Sequence, residues 1–204
     1  MTFAEMSIKE FQDALASENP TPGGGSAAAI TGASAAASVA MVCRVTVNDD
    51  EYESVHDEMA EIMTDLDTLA EELNELADED AAAFDAVMSA YRRSSDDPER
   101  SDAIQDAMTT AAEVPLETAE HCLEIIEHAE FVAANGNQNA VTDAGTGALL
   151  AHAAANAALY NVDINLTSLD PSDTVDSLKQ RRESVQEHVD TTLERVNDIV
   201  SAAL

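Results

Sequence analysis

The fold of this chain is decided by one stretch near the N-terminus, NPTPGGGSAAAITGASAAASVA (residues 19–40). The prolines fix the backbone and remove N–H donors, and the glycines that follow free it to lie close to another group. Ser26 is a residue type preferred as a helix N-cap. The stretch therefore predicts a loop of bare N–H groups on a helix N-terminus, which suits an anion or a carbonyl. A plain connector between two helices is equally consistent with the loop alone.

The small residues after the loop predict a helix from Ser26 to about Val47. Helices with such small side chains can approach their neighbours to about 8 Å. Gly32 and Ala36 form a small-xxx-small pair that favours the same close approach. We expect this helix at the centre of the domain or at a contact between subunits.

The composition predicts an all-α fold. The chain has 204 residues, of which 45% are hydrophobic but only 3% aromatic, and there is no Trp. Much of the apolar content is Ala, and few β-branched or aromatic runs could form a sheet. We therefore predict a multihelical bundle with long helices in a single domain, residues 1–204.

The charge is strongly acidic, with 41 Asp+Glu against 9 Lys+Arg and a net charge of −32. Such a chain repels nucleic acid and anionic membranes, so we expect neither as a partner. The regular apolar periodicity favours a folded, halophilic protein whose self-repulsion is screened by salt. Cys43 and Cys122 lack metal spacing and are typical of a reducing compartment. With no signal peptide evident at the N-terminus, we expect a cytoplasmic protein.

A long helix is predicted from about Glu51 to Tyr91 by a heptad pattern of apolar residues. A helix of that length must bend, break or pack against a second subunit. Asp80 occupies a position where the pattern favours Leu, and burying an unpaired carboxylate costs several kcal/mol. This makes Asp80 a candidate functional group, although an accidental Asp is plausible in a chain so rich in acids. The seam consists of Val55, Met59, Ile62, Leu66, Leu69, Leu73 and Leu76.

The second half of the chain predicts three more helical segments. Pro115 should kink or divide the first of them near Val114. A polar stretch, 137–143, leads into a second Ala-rich helix from Ala144 to about Tyr160. Residues 161–169 are predicted as a connector whose apolar alternation allows a short extended piece, and Asp170-Pro171 opens the last helix.

Polar residues in apolar or small-residue surroundings are the candidates for chemistry. They are the loop 22–26, Asp80 and the stretch 137–143, in which Asp143 could equally be an N-cap or a first-turn acid. His121, Glu124 and His128 share a helical face, but a metal site needs further ligands that the sequence does not offer. We therefore predict no metal.

Five motifs, in order along nearly the whole chain, resemble the cyclodeaminase/cyclohydrolase family of folate enzymes. They are TPGGGS (21–26), DEDAAAF (78–84), EVPLE (113–117), NAVTDAG (139–145) and NVDINL (161–166). The resemblance implies an all-helical homodimer with a folate site and no metal or nucleotide cofactor. It makes Asp80 and Asp143 the catalytic acids. The substrate-binding residues implied are Pro22, Gly23, Gly24, Gly25, Ser26 and Asn139.

One motif departs from the family pattern. Relatives tend to carry lysines before a Tyr-Glu pair, where this chain has NDDEYE (48–53). If those lysines hold an anionic folate tail, Arg44 and the loop N–H groups are what remains nearby.

The function implied is hydrolysis of 5,10-methenyltetrahydrofolate to 10-formyltetrahydrofolate. A carboxylate would accept a proton from water and then donate one to the departing ring nitrogen. Formiminotetrahydrofolate cyclodeaminase, which releases ammonia, is the alternative that the residues do not separate. A non-catalytic helical dimer that binds a ligand is a further alternative, supported by the heptad seams.

Overall fold

The computed structural model describes residues 2–204, and within that range it contains six α-helices and no strand. The helices are α1 (Ile8–Leu15), α2 (Gly24–Val47), α3 (His56–Tyr91), α4 (Arg100–Asn135), α5 (Val141–Leu166) and α6 (Asp173–Ala203). Short 3-10 helices precede α1, α3 and α5. The predicted all-α fold is confirmed, while the assignment of 1–204 to a single domain stays a prediction.

Helix α2 lies at the centre of the molecule, as its small side chains predicted. It packs against α3, α4 and α5, and α4 in turn packs against α3, α5 and α6. By length and composition α2 could cross a membrane, but most of its apolar part is buried by the other helices. That burial is the pattern of a core helix. The central position of α2 brings the loop before it into the middle of one end of the bundle.

Two glycines permit the close packing around α2. A Cβ at Gly147 of α5 would lie 2.5 Å from Val39 Cγ2 and 3.1 Å from the backbone oxygen of Ala35. A Cβ at Gly32 of α2 would lie 2.8 Å from the sulfur of Cys122. Neither position has room for a side chain, because the neighbouring atoms are themselves part of a close-packed interior.

The heptad seam of α3 is buried as predicted, from Met59 to Leu76, with Val55 partly buried. The predicted start of the helix at Glu51 is wrong. Residues Asp50–Val55 form a 3-10 helix in which Tyr52 has non-helical dihedrals, with φ of −108°. The predicted helix therefore breaks near His56, which leaves 36 residues in α3.

Two other boundary predictions are wrong. Ser26 is not the N-cap of α2, which is Gly23. The segment 161–169 is not a connector with an extended piece, because α5 runs on to Leu166. Of the two outcomes predicted for Pro115, a kink or a division, the division does not occur, since α4 continues through the proline.

The glycine at position 147 gives a test of the packing between α2 and α5. Ala is normally the better helix former by roughly 0.5–1 kcal/mol. We expect Gly147→Ala nevertheless to lower the free energy of unfolding by about 1–3 kcal/mol, because its methyl group would overlap Val39. Urea denaturation measures the effect, with Thr146→Ala at the exposed neighbouring position as the control. A stabilised Gly147→Ala variant would show that the two helices are not packed so closely.

Candidate functional site

Asp80 of α3 is held by the first turn of α2. Its Oδ2 accepts hydrogen bonds from the backbone N–H and from the hydroxyl of Ser26, both at 2.8 Å. Gly25 makes this approach possible, since a Cβ at that position would overlap the Asp80 carboxylate. Asp80 Oδ1 accepts no hydrogen bond from any residue in the range 2–204. One oxygen of the carboxylate is thus fixed and the other is free to meet a ligand.

The pKa of the Asp80 carboxyl is raised above its ordinary value. The principal cause is burial, which disfavours the charged form, and the two hydrogen bonds from Ser26 lower the pKa by less than burial raises it. A carboxyl whose pKa has moved toward neutrality is suited to accept and donate protons.

A cavity of about 320 Å³ opens beside this carboxylate, at the lower end of the range typical of small-molecule sites. Its walls come from the loop before α2 and from α3, α4 and α5, and Asp80 is its one titratable residue. The lining residues are Pro20, Thr21, Gly23, Gly24, Gly25, Asp80, Ala83, Phe84, Val87, Ala111, Asn161 and Asn165. A cavity of this size accepts a ring system and leaves an extended tail outside.

Two asparagines in the cavity wall were not among the predicted site residues. Asn161 and Asn165 lie one turn apart on α5, in the NVDINL motif. Asn161 Nδ2 donates to the backbone oxygen of Ala157 at 2.9 Å, and Asn165 Nδ2 donates to that of Ala111 at 2.5 Å. The alternation of apolar residues suggested an extended piece here. The i, i+4 spacing of the asparagines was the signal for a polar helical face.

The loop 22–26 reaches the site, but its residues divide into two groups. Gly23, Gly24 and Gly25 line the cavity, whereas Pro22 and Ser26 are buried behind it. The expected binding of an external anion by the loop needs correction, because the N–H of Ser26 already donates to Asp80. Ser26 therefore acts on the carboxylate and not directly on a ligand in the cavity.

Asp143 does not share this site within one chain. It lies in the first turn of α5, and its backbone oxygen accepts a hydrogen bond from Ser38. Ser38 is twelve residues along α2 from Ser26, which bonds Asp80, so the two acids are about 18 Å apart along the helix. Within the single chain Asp80 and Asp143 therefore do not meet, and a catalytic role for Asp143 stays a prediction.

Asn139 and Arg44 also lie toward the other end of α2. The N–H of Asn139 donates to the side chain of Asn137, and Arg44 pairs with Asp67 on α3 at 2.5 and 2.6 Å. Arg44 is about 27 Å from Ser26 along α2. Its guanidinium is engaged by a carboxylate, so the structure does not support the prediction that it holds a folate tail at the cavity.

The segment where relatives carry lysines lies at this same far end. Asn137 Nδ2 donates to Asp49 Oδ2 at 3.1 Å, and the N–H of Gln138 donates to the hydroxyl of Tyr52 at 3.0 Å. These contacts join residues 48–53 to the polar stretch 137–143. Of the three predicted polar candidates, the stretch 137–143 thus lies at this end, whereas the loop 22–26 and Asp80 meet at the other.

Two alternatives to the Asp80 site are a metal site and a larger groove between α1 and α2. In the part of the chain from residue 2 to 204, no group of three or more His, Cys, Asp or Glu side chains is placed to hold a metal. A groove of about 580 Å³ between α1 and α2 is larger than the Asp80 cavity but has no titratable lining residue. Among the described residues the groove therefore offers no acid–base group, whereas the Asp80 cavity holds a largely buried carboxyl.

Comparison with known proteins gives the family. The family model described as formiminotransferase-cyclodeaminase matches residues 7–184. The chain belongs to this family. It is 42% identical to a methenyltetrahydrofolate cyclohydrolase of Methylorubrum extorquens, over 80% of each chain.

Other members of the family are similar in sequence or in structure. The chain is 28% identical to a formimidoyltransferase-cyclodeaminase of Rattus norvegicus over 81% of its length, and the match spans 31% of that longer protein. The crystal structure of a formiminotetrahydrofolate cyclodeaminase from Thermotoga maritima superposes with a TM-score of 0.92. That comparison covers 98% of both chains at 30% identity. The predicted resemblance is confirmed.

The environment of Asp80 predicts how stability depends on pH. Because its folded-state pKa is raised, the stability that the neutral carboxyl contributes is complete below the ordinary value of 3.8 and is lost as the pH rises through the raised pKa. Asn can keep both hydrogen bonds from Ser26 without the charge. We expect Asp80→Asn to be more stable than the wild type at neutral pH, by about 1.4 kcal/mol for each unit of pKa shift.

Urea denaturation at a series of pH values tests this. The advantage of Asp80→Asn should shrink as the pH falls through the raised pKa and vanish below the ordinary value of 3.8. The exposed Asp85 of the same helix provides the matched control, Asp85→Asn. A variant that is less stable than the wild type at neutral pH would mean that the carboxylate stabilises the fold.

Proposed function

We propose that this protein hydrolyses 5,10-methenyltetrahydrofolate to 10-formyltetrahydrofolate. The observation that carries the proposal is the carboxyl of Asp80, which has Oδ2 fixed by Ser26, Oδ1 free and its pKa raised by burial beside the cavity. The 42% identity to a protein named methenyltetrahydrofolate cyclohydrolase supports the choice of substrate. The proposal places the bicyclic end of the folate in the cavity and its tail outside.

The reaction needs a proton acceptor that later becomes a proton donor. The amidinium carbon of the substrate is already electrophilic, so water attacks it while Asp80 takes one proton from the water. The carbon–oxygen bond forms in this step and gives a neutral carbinolamine. Asp80 then gives its proton to ring nitrogen N5 as the carbon–N5 bond breaks, and the hydroxyl proton leaves to solvent. The formyl group remains on N10. One carboxyl with a raised pKa performs both transfers.

Formiminotetrahydrofolate cyclodeaminase is the second candidate function. The structural similarity to the Thermotoga maritima protein of that name favours it, with a TM-score of 0.92. In that reaction N10 attacks the formimino carbon and closes the ring, the carboxylate takes the N10 proton, and a proton is given to the amino group as its bond to the carbon breaks and ammonia leaves. Giving both substrates to the purified protein and measuring absorbance and ammonia separates the two activities. Turnover of neither would favour the non-catalytic ligand-binding dimer.

The proposed hydrolysis depends on Asp80 as the proton carrier. In molar salt, which screens the self-repulsion of a net charge of −32, the protein should accelerate the loss of methenyltetrahydrofolate absorbance. We expect Asp80→Asn to lower kcat by about 10²-fold or more, because the amide cannot transfer the proton. The variant Asp85→Asn, on the exposed side of α3, should keep wild-type activity. An unchanged kcat in Asp80→Asn would remove Asp80 from the reaction.

A homodimer is the assembly that we propose. In this chain of net charge −32, the outer faces of α2 and α5 carry exposed apolar residues and almost no charge. The two helices lie side by side, as the contact of Gly147 with Val39 shows. The exposed large apolar residues on them are Met41, Val45, Leu149, Leu150, Tyr160 and Ile164. Such a face is typical of a subunit contact, and a two-fold dimer would cover it on both copies.

Introducing a charge on this face tests the dimer. We expect Leu149→Asp, at a position 52% exposed, to convert the dimer to a monomer with the helical content unchanged. Light scattering after size-exclusion chromatography measures the mass, and circular dichroism measures the helicity. Thr174→Asp, at the exposed start of α6, adds the same charge elsewhere and should leave the mass unchanged. A monomeric wild type, or a Leu149→Asp variant that stays dimeric, would contradict the proposed interface.

A further inference from the structure

The proline inside α4 leaves a backbone carbonyl without its usual partner. In an α-helix the carbonyl of residue 111 would accept from the N–H of residue 115, but Pro115 has no N–H to donate. Asn165 of α5 supplies the missing donor, with its Nδ2 at 2.5 Å from the oxygen of Ala111. Both Ala111 and Asn165 line the cavity beside Asp80. The proline of the EVPLE motif thus frees the carbonyl of Ala111, and the asparagine of the NVDINL motif donates to it.

This contact fixes which way the amide of Asn165 faces. Because Nδ2 is directed to the carbonyl on α4, the amide oxygen is left for another donor. Asn161 has the same arrangement, with its Nδ2 bonded to the oxygen of Ala157. Within residues 2–204 neither amide oxygen accepts a hydrogen bond, and neither is buried without a partner. Both oxygens are therefore open to whatever fills the cavity.

A third asparagine on the same helix shows that this arrangement is not general. Asn156 also donates from Nδ2 to the backbone oxygen four residues earlier, that of His152, at 2.9 Å. Its own oxygen, however, accepts from Gln186 Nε2 of α6 at 3.1 Å. The amide of Asn156 is fully used inside the protein. In Asn161 and Asn165 only the Nδ2 group is hydrogen-bonded within the described residues 2–204. The amide oxygen of each has no partner there, and both residues line the cavity.

We propose that Pro115 positions Asn165, and that the amide oxygens of Asn161 and Asn165 bind N–H donors on the ring of the substrate. Together with Oδ1 of Asp80, the two amide oxygens place three hydrogen-bond acceptors in one small cavity. Such a cavity suits a reduced, amino-substituted nitrogen heterocycle, whose edge carries several N–H groups. It disfavours a ring whose edge carries only acceptors. This inference rests on the proposed function, because it assigns the part of the folate that enters the cavity.

Asn165 on this account is a substrate-binding residue and Pro115 a positioning residue that acts through it. Asn165→Ala should raise KM for methenyltetrahydrofolate about tenfold, the effect of one lost hydrogen bond that leaves a buried partner unpaired. The change in kcat should be much smaller, since the contact is made before and during the reaction alike. Pro115→Ala restores a helix N–H that competes for the carbonyl of Ala111. It should raise KM by at least about threefold while the protein keeps or gains stability.

The experiment is a double-mutant cycle on the full chain. Asn165→Ala, Pro115→Ala and the double variant are compared with the wild type, and Asn156→Ala is the matched control. KM and kcat are measured with methenyltetrahydrofolate, and the Kd of tetrahydrofolate is measured by calorimetry. We expect the double variant to equal Asn165→Ala, because Pro115 acts through that side chain, and Asn156→Ala to keep the wild-type KM and Kd.

An Asn165→Ala variant with KM and Kd within twofold of the wild type would overturn the inference. Effects of Pro115→Ala and Asn165→Ala that multiply in the double variant would overturn the link between the two residues. If Asn165→Ala does not fold, Pro115→Ala decides the question, because it removes no side chain from the asparagine. A wild type that binds tetrahydrofolate but turns over no methenyltetrahydrofolate would refute the proposed function, and the Kd values would then test the inference alone.

Discussion

The hydrogen bonds from Ser26 to Asp80 are the interaction on which the rest of the site depends. They place a carboxylate from the middle of one long helix against the first turn of another. The small residues of α2 allow this, since Gly25 leaves the space that the carboxylate occupies. The chain thereby gains a rigid acid with one free oxygen, at the cost of burying a charged group. That cost is the reason to regard Asp80 as functional and not as an accident of an acidic composition.

The family motifs acquire distinct physical roles in the structure. TPGGGS and DEDAAAF supply the two sides of the Asp80 contact, and EVPLE and NVDINL meet through the carbonyl that Pro115 leaves free. NAVTDAG lies toward the opposite end of α2, where the backbone oxygen of Asp143 accepts from Ser38 of that helix. Asn137, just before the motif, donates to Asp49. Residues of three motifs therefore line one cavity, and EVPLE affects it through Pro115 and the carbonyl of Ala111. The fifth motif belongs to a separate polar cluster near the proposed subunit contact.

Much of the fold followed from the sequence because its signals were local. The heptad seam from Met59 to Leu76 and the central Ala-rich helix both depend on spacing along a few turns. The importance of Asp80 was visible for the same reason, as a break in a regular pattern. What the sequence could not supply was the pairing of helices. Asp143 was grouped with Asp80 because both are acids in small-residue surroundings, and only the packing of α5 on α2 separates them.

Asn161 and Asn165 were missed for a different reason. Val162, Ile164 and Leu166 alternate, and a short apolar alternation fits an extended piece as well as a buried helical turn. The tertiary contact with α4 resolves the ambiguity, because Asn165 provides the donor that Pro115 lacks. The same contact helps α4 to continue undivided through its proline, where the sequence predicts a kink or a division.

The most direct test of the central claim is a crystal structure of the protein with 5-formyltetrahydrofolate, a stable folate that carries its one-carbon unit on N5. The account predicts the ring system in the cavity beside α2. The one-carbon unit should then face the free oxygen of Asp80 with one water between them, about 3–3.5 Å from the carbon and within hydrogen-bond distance of the carboxylate. A ring system bound instead in the groove beside α1 or at the Asn139–Asp143 end, with Asp80 in contact only with solvent, would contradict it.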